Sequence, residues 1–352
     1  MGSKRKRSGK EGTAPVGAAT KRVKKDQSIA APSKPSLEKA PFVETPTGDE
    51  RRREAALYEL LGSEDESDRL QAADCIVSGL LEGEGVSEAT LERHIERRLF
   101  RGLASGRNAS RLGFSLVITE ILGQLYGEKA LVESKYDGMT FRKALSCLMD
   151  KTQAVGNIPG QEERDHFFGQ LFGIECFVRS GVLFRDISRW SQILDLLLNL
   201  GYKKVWLRSQ CGWVILQALG QMQEKDVEQT LVKLADGGLA KTPEGVAIWI
   251  SALQSFPKLK IKPWIDPLGN KSLGDLTAVL KESFQNQDQG QNDKGGKNKQ
   301  ASWSAQLHFV WDIILAYFTQ QDSSDADRFE SFWLRVVDGR FIESYYAHQL
   351  LT

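Results

Sequence analysis

The sequence predicts an all-α protein whose helices form an irregular armadillo- or HEAT-like solenoid, behind a disordered basic N-terminal tail. Apolar residues recur at helical spacing from Glu50 almost to the end, and no alternating apolar/polar strand of useful length occurs. The helices fall into pairs with a period of about 35 to 50 residues, which is typical of such solenoids. At 352 residues the chain exceeds the usual size of one globular core. The chain is therefore expected either to split into domains or to stack its helices in a solenoid.

Residues 1–48 form the tail, which is rich in Lys, Ala, Pro, Ser, Thr and Gly and nearly devoid of large apolar residues. Such a segment cannot bury enough surface to offset its ordering entropy, so we expect disorder. Residues 1–40 hold eleven Lys/Arg against three acids, a net charge of +8, whereas the rest of the chain carries −7. An acidic body argues against a general phosphate-binding surface, because that needs clustered positive charge.

The basic residues of the tail form two clusters whose spacing approximates a bipartite nuclear import signal. They are Lys4, Arg5, Lys6, Arg7, Lys21, Arg22, Lys24 and Lys25. Extended basic side chains suit the acidic grooves of an import receptor, so we expect that receptor as a partner; a solvated tail or a nonspecific nucleic-acid arm is the alternative. We expect no secretory signal, because Met1 leads straight into charged residues without an apolar stretch. We expect no membrane partner, because no run of about 18 apolar residues occurs.

The body, residues 49–340, is predicted to be helical throughout. It opens with a short amphipathic helix containing Leu57 and Leu60, followed by an apolar stripe from Leu70 to Leu81 with Ser67 as its N-cap. Further helices are predicted at residues 87–104, 108–126, 140–155, 161–180, 187–200, 205–219 and 226–235. Thr242-Pro243-Glu244 begins another helix with proline in its first turn. Helices near residues 273–284, 304–319 and 326–337 complete the set.

These helices pair as 67–104, 108–155, 161–201, 203–238 and 242–286. The helix over 108–126 is apolar on nearly every side, and a helix without a polar face has to be enclosed by others. Residues 285–300 are low-complexity and polar, which predicts a flexible loop. Residues 257–270 contain three prolines, and we expect an ordered extended crossover that packs Trp264 and Ile265.

The sequence offers little to catalysis. Two-metal nucleotidyl transfer needs carboxylates that converge on paired Mg²⁺ ions, usually from strands, and no strand-borne Asp pair is found. Gly296-Lys297 lacks the other residues of a phosphate loop. The four cysteines and four histidines show no metal-ligand spacing, and the cysteines are expected to be reduced and buried. His166 is expected to be a structural hydrogen-bonding residue. We therefore expect no catalytic residue, no metal and no cofactor.

Six arginines are candidates for contact with a protein partner or a nucleic acid. They are Arg93, Arg97, Arg98, Arg101, Arg107 and Arg111. Arg93, Arg97 and Arg101 recur every four residues, so we expect them to share one solvated face. Because glutamates lie between these arginines, the alternative is a solvated charged face with no binding role. Arg107 and Arg111 have a second alternative, in which they cap carbonyls of the neighbouring repeat.

The tryptophans are expected to be core residues between repeats. Trp206 and Trp213 are seven residues apart and have apolar neighbours. A stacking platform for single-stranded nucleic acid would instead have interleaved positive charge.

Three ordered blocks resemble the DNA polymerase phi family, also called DNA polymerase V or Myb-binding protein 1A. The blocks are residues 99–105 with 109–114, residues 163–173 with 179–181, and residues 203–208. The resemblance runs from about Leu57 to about Asp338. It implies a nucleolar helical-repeat protein in rRNA gene transcription and ribosome biogenesis, for which the polymerase label does not describe the main role.

The resemblance implies a non-enzymatic scaffold that binds proteins of the nucleolar transcription or ribosome-assembly machinery, with rDNA or pre-rRNA as further candidate partners. A polymerase-type nucleotidyltransferase, as the family name suggests, and a transport-type helical adaptor are the alternatives. Family members are longer, with further repeats, an acidic stretch and a basic C-terminal tail. Residues 341–352 depart from the family pattern, so we expect the chain to be truncated within a continuing repeat.

Overall fold

The structure, a computed structural model, describes residues 37–285, 307–320 and 326–342. Within these ranges every regular element is helical and no β-strand occurs, which confirms the predicted all-α class. The α-helices are α1 (Gly48–Leu60), α2 (Glu66–Leu81), α3 (Glu88–His94), α4 (Arg101–Leu103), α5 (Asn108–Tyr126), α6 (Leu131–Ser134), α7 (Phe141–Lys151), α8 (Gly160–Arg179), α9 (Ile187–Lys203), α10 (Arg208–Leu219), α11 (Glu224–Asp236), α12 (Pro243–Ser255), α13 (Leu273–Gln285), α14 (Val310–Gln320) and α15 (Ala326–Phe332).

Two π-helical segments interrupt this pattern. Ile95–Phe100 joins α3 to α4, and Trp333–Ile342 follows α15. A π-helix bonds residue i to residue i+5 and therefore has a wider turn than an α-helix. The helix predicted over residues 87–104 is thus present but irregular. Short 3₁₀ turns, Val205–Leu207 and Leu239–Lys241, lead into α10 and α12.

Side-chain caps fix where several helices begin. The Thr242 hydroxyl accepts from the backbone N–H of Gly245 at 3.2 Å, and Pro243 occupies the first turn of α12, as predicted. At α2 the cap is Asp65, whose carboxylate accepts from the Ser67 N–H at 2.8 Å. The predicted cap, Ser67, therefore lies inside the first turn, because the preceding acid already occupies the capping position.

The helices make contact in a regular order. One series, α2, α5, α8, α10, α12 and α14, contacts in chain order. The remaining long helices lie against this series, since α1 contacts α2, α9 contacts both α8 and α10, and α13 contacts α12. A continuous hydrophobic cluster reaches from Phe42 to Val336. Each helix of the series thus buries apolar side chains against its neighbours.

Two glycines bring backbones of this series into direct contact. A Cβ atom on Gly113 of α5 would overlap the carbonyl group of Leu61, in the turn before α2. A Cβ atom on Gly169 of α8 would lie 3.0 Å from the backbone nitrogen of Ala104, in the break before α5. In both cases a glycine meets the turn that precedes the neighbouring helix. The interhelical distance is therefore set by backbone contact at these points.

Helix α5 is buried along most of its length, as its apolar sequence predicts. Val117, Ile118 and Leu125 are each at most 2% exposed. However, Leu112 is 49% exposed and Leu116 is 42% exposed. The prediction of complete enclosure is wrong for these two leucines, because α2 and α8 flank them without covering them.

The segment 37–47, which the sequence assigns to the tail, lies against α1 and α2. Phe42 is 5% exposed, and its N–H donates to the carbonyl oxygen of Gly79 at 3.0 Å. The Arg53 guanidinium donates to the carbonyl oxygens of Glu38 and Ala40, at 3.0 and 2.6 Å. These bonds hold the segment on the first two helices.

The crossover between α12 and α13 runs back along α12. The Trp249 indole donates to the Ile261 carbonyl oxygen at 3.4 Å, and the Trp264 indole donates to the Ala240 carbonyl oxygen at 2.6 Å. Trp264 is 2% exposed, as expected for an ordered crossover. The expectation that Ile265 is also packed is wrong, because 54% of it is exposed.

Several predictions fall outside the described residues. The two basic clusters of the tail do so entirely. The predicted loop 285–300 is described only at its first residue, and the segment 341–352 only at its first two residues.

Candidate interaction surface

The candidate arginines lie on both sides of the break between α4 and α5. Arg97, Arg98 and Arg101 are exposed, on the π-helical segment and at the start of α4. The Arg98 guanidinium lies 5.8 Å from the centre of the Tyr58 ring. Arg97 and Arg101 form no hydrogen bond or ion pair with the described residues, so their charges are free for a ligand.

Arg93 is directed into the structure and does not share that face. Its guanidinium lies 3.2 Å from the Glu54 carboxylate, and Glu54 is almost fully buried. It also donates to the Val43 carbonyl oxygen at 3.1 Å and to His94 Nε2 at 3.0 Å. Arg93 does not share a solvated face with Arg97 and Arg101, because the Glu54 carboxylate and the Val43 carbonyl oxygen draw its guanidinium inward.

His94, at the centre of this buried group, is electrically neutral. Burial, followed by the nearby charges of Arg93 and Arg98, lowers the pKa of His94 to about 3. The hydrogen bond from Arg93 requires Nε2 to accept, so Nδ1 carries the proton and donates to the Tyr58 hydroxyl at 2.7 Å. His94 Nε2 lies 3.7 Å from the Glu54 carboxylate, but the neutral imidazole forms no ion pair with it.

Arg107 and Arg111 both bond to backbone carbonyls, but only the Arg107 partner lies in a neighbouring pair of helices; Arg111 bonds within the break before its own helix. The exposed Arg107 donates to the Gly62 carbonyl oxygen, ahead of α2. Arg111 is 7% exposed, donates to the Ser105 carbonyl oxygen and lies 3.4 Å from the Asp165 carboxylate. Of the six candidates, Arg111 is buried, Arg93 is half-buried, and the other four are exposed.

An apolar groove lies between α2, α5 and α8, with a volume of about 640 Å³. Its walls include Leu70, Leu112 and Leu116, which are 50%, 49% and 42% exposed. Charged residues of both signs surround these leucines: Glu66, Arg69, Glu120, Glu175 and Arg179. The sequence alone did not reveal this groove, although Leu112 and Leu116 are four residues apart on one helix face.

Ser209, His308 and Glu244 have the residue types of a hydrolase triad. His308 Nε2 lies 3.1 Å from the Ser209 hydroxyl and 3.4 Å from the Glu244 carboxylate. His308 Nδ1 accepts from the Val310 N–H at 3.1 Å. A working triad places its acid at one ring nitrogen and its nucleophile at the other. Here both use Nε2, so the arrangement does not have triad geometry.

Glu244 instead forms a buried ionic cluster. Burial alone raises the pKa of Glu244, but the hydrogen bond from His308 and the charge of Arg208, 3.3 Å away, lower it to about 2. Glu244 is 4% exposed and meets Gly212 of α10. The cluster therefore ties together the starts of α10, α12 and α14.

Other reactive groups are placed as structural residues. All four cysteines are free thiols, and burial raises the pKa of Cys176 to about 11 and that of Cys211 to about 12. His166 Nδ1 lies 3.2 Å from the Thr152 carbonyl oxygen, which fits its predicted structural role. In the part of the chain that the structure describes, no three His, Cys, Asp or Glu side chains could hold a metal ion together. Nor does any described helix have the length and apolarity to cross a bilayer.

The tryptophans divide between core and surface. Trp190, Trp249 and Trp264 are at most 2% exposed, as predicted. Trp213 is 44% exposed and makes an edge contact with Phe309 at 5.5 Å, so its prediction as a core residue is wrong.

Comparison with known proteins identifies relatives along most of the chain. The family model described as DNA polymerase phi matches residues 94–350. That range contains the three blocks singled out in the sequence and most of the segment 341–352. No solved structure shows a significant match.

The rDNA transcriptional regulator pol5 of Schizosaccharomyces pombe is 28% identical over 298 residues, which are 80% of this chain and 28% of the yeast protein. The rDNA transcriptional regulator POL5 of Saccharomyces cerevisiae is 28% identical over 291 residues, which are 74% of this chain and 28% of that protein. Myb-binding protein 1A of Rattus norvegicus is 24% identical over 234 residues, covering 62% of this chain and 16% of the rat protein. The chain thus spans under a third of the length of these relatives.

Proposed function

Because this chain belongs to the DNA polymerase phi family, we propose that it regulates rRNA gene transcription in the nucleolus, acts in ribosome biogenesis, and works as a helical scaffold. The observation that carries this proposal is its similarity, over 80% and 74% of its length, to two yeast proteins named rDNA transcriptional regulators. The chain covers 28% of each, so the proposal concerns the contribution of this portion.

The proposed scaffold is an irregular armadillo- or HEAT-like solenoid. The ordered contacts of α2, α5, α8, α10, α12 and α14 support it, because in a solenoid each repeat touches its sequence neighbours. The glycine contacts of α5 and α8 with the turns before α2 and α5 support it too, since the same device occurs in successive units.

Two surfaces are proposed for partners. The groove lined by Leu70, Leu112 and Leu116 is proposed for proteins of the nucleolar transcription or ribosome-assembly machinery, because an exposed apolar patch with a charged rim is typical of protein contact sites. The exposed Arg97 and Arg101 are proposed to contact rDNA or pre-rRNA, because both guanidinium groups are accessible and have no described partner.

A scaffold without a catalytic centre is preferred to a polymerase. The two yeast relatives carry the name of transcriptional regulators. The one Ser–His–Glu grouping described, at Ser209, does not have triad geometry. An import receptor is proposed to bind the basic clusters of residues 4–25 and so deliver the protein to the nucleus.

The test is depletion of the protein followed by measurement of nascent pre-rRNA by metabolic labelling. Depletion is expected to change pre-rRNA synthesis while nascent mRNA stays constant, and wild-type protein is expected to restore it. Unchanged pre-rRNA synthesis would refute the proposal. A fluorescent fusion lacking residues 1–25 is expected to lose nuclear accumulation, and retained accumulation would refute the import role of the tail.

Rescue with variants tests the groove. Leu112→Asp with Leu116→Asp is expected to leave the fold intact, because both side chains are exposed, but to fail in rescue. Val232→Asp is a matched control, since Val232 is 46% exposed on α11, away from the groove-lining residues. Equal rescue by the two variants would show that the groove is not needed.

A further inference from the structure

Three lysines form a row on the crossover between α12 and α13. We call Lys258, Lys260 and Lys262 the lysine row. All three are exposed, and they alternate with Leu259, which is 7% exposed, and Ile261, which packs against the hydrophobic core. The alternation turns the apolar side chains inward and every ammonium group outward. The backbone forms a turn at Lys258 and bends at Lys262, so the row follows the curved path of the crossover.

The row is held in place by bonds beneath it. The Ile261 carbonyl oxygen accepts from the indole of Trp249, a residue 0% exposed. Two residues after the row, the buried Trp264 donates to the Ala240 carbonyl oxygen. At the start of the row, the Leu259 N–H donates to the Phe256 carbonyl oxygen at 3.1 Å. A ligand therefore has to order only the lysine side chains, because the backbone is already fixed.

The surface around the row has an excess of positive charge. From residue 237 to residue 265 the exposed charges are the row and Lys241, whose neighbour Ala240 bonds to Trp264. The exposed acids Asp236 and Asp266 flank this range, and Asp266 pairs with Arg328. The single acid in this range, Glu244, is 4% exposed and paired with Arg208. No ammonium group of the row forms a hydrogen bond or ion pair with the described residues. A basic surface thus stands out on a body whose net charge is negative.

We propose that the lysine row, together with Lys241, binds the phosphodiester backbone of a nucleic acid. This inference rests on the nucleic-acid contact in the proposed function and assigns it to a site separate from the exposed arginines. Lysine ammonium groups act as point charges and do not read bases, so the contact is independent of sequence. Three unpaired ammonium groups on one ordered segment suit a ligand whose negative charges repeat along a chain.

The experiment measures binding of a fluorescein-labelled single-stranded RNA and a labelled duplex DNA to the full chain by fluorescence anisotropy. Salt is varied between about 50 and 200 mM, because each neutralised phosphate adds about 0.7 (single strand) or 0.9 (duplex) to the slope of log affinity against log salt. Lys258→Gln with Lys260→Gln and Lys262→Gln is expected to lower that slope by about two for RNA and nearly three for DNA. Affinity at about 0.1 M salt is expected to fall about tenfold or more.

Two further triple variants make the result specific. Arg142→Gln with Lys225→Gln and Arg335→Gln removes the same charge from exposed positions that have no described partner, and is expected to keep most of the slope. Arg97→Gln with Arg98→Gln and Arg101→Gln tests the arginines. If wild-type protein shows no salt-dependent binding, the nucleic-acid part of the proposed function fails together with the inference. If the arginine variant loses binding and the lysine variant does not, the inference alone is overturned.

Two measurements separate the site from general effects. Acetylation of the full chain with a lysine-reactive ester is expected to be reduced by RNA at Lys258, Lys260 and Lys262, and unchanged at Lys225. Equal protection of all four would overturn the inference without relying on any variant. Labelled poly-glutamate is expected to bind more weakly than RNA. If poly-glutamate binds as tightly as RNA, and the triple lysine variant loses this binding, the inference is overturned in favour of an acidic protein partner.

Discussion

The buried histidine between α1 and α3 predicts a particular loss of stability in acid. His94 is 0% exposed and has a pKa of about 3, lowered by burial and then by the charges of Arg93 and Arg98. In the unfolded chain its pKa returns to about 6.5. Because the unfolded state binds the proton and the folded state does not, the free energy of unfolding falls as the pH drops below about 6.5.

The size of the effect follows from the gap between the two pKa values. Each pH unit below about 6.5 costs about 1.4 kcal/mol, so His94 removes about 2 kcal/mol of stability between about pH 7 and pH 5. His94→Gln keeps a polar side chain for Tyr58 and Arg93 but does not titrate. It is expected to be less stable than wild type at about pH 7, by about 1 to 3 kcal/mol, because a buried hydrogen bond is imperfectly replaced.

The assay is urea unfolding followed by circular dichroism at a series of pH values, with hydrogen exchange of the α1 and α3 amides as a local measure. The stability gap between wild type and His94→Gln is expected to narrow by about 2 kcal/mol on acidification to about pH 5. Tyr58→Phe serves as the control, because it removes the hydroxyl that bonds to His94 but leaves the imidazole, so its curve should parallel that of wild type. Parallel curves for wild type and His94→Gln would refute the argument.

Three further predictions concern packing, an ionic cluster and thiol reactivity. Gly113→Ala is expected to destabilise the protein by about 1 to 3 kcal/mol or more, because the added Cβ atom would overlap the backbone of Leu61. Gly123→Ala in the same helix is the control and should not destabilise the protein, because its Cβ atom would meet only one atom, at 3.8 Å. Equal melting temperatures of the two variants would contradict this prediction. The pKa of Glu244 is lowered to about 2, so its stabilisation is present above about pH 4.5 and is lost as the pH falls towards 2. The stability cost of Glu244→Gln, measured by urea unfolding, should therefore shrink by up to about 2 kcal/mol between about pH 5 and pH 3, and a constant cost would show that the carboxylate charge contributes nothing. Cys176 and Cys211, with pKa values raised by burial to about 11 and about 12, should resist a disulfide reagent at neutral pH until urea is added; rapid labelling of the native protein would contradict their burial.

Helix class and several helix ends could be predicted from the sequence because they depend on local chemistry. Thr242-Pro243 marked the start of α12 correctly, since a capping hydroxyl and an N-terminal proline act within one turn. The distribution of the arginines could not be predicted in the same way. Arg93 and Arg97 have the spacing of one α-helical face. The partners that draw Arg93 inward, Glu54 and Val43, are 39 and 50 residues away in sequence and meet it only in the packed structure.

Surface features were harder to predict than the core. The exposure of Leu112 depends on the distance between α2 and α8, which periodicity within α5 cannot report. The lysine row was partly visible, because Lys258, Lys260 and Lys262 alternate with apolar residues in the printed sequence. The sequence around the lysines does not show that hydrogen bonds from Trp249 and Trp264 fix the backbone beneath them.

The glycine contacts of α5 and α8 make the packing of neighbouring helices depend on the main chain. Where Gly113 meets Leu61 and Gly169 meets Ala104, two backbones touch with no side chain between them. A larger residue at either position would force those backbones apart, whatever side chains surround them. The displacement would reach the turn before α2 in the first case and the break before α5 in the second.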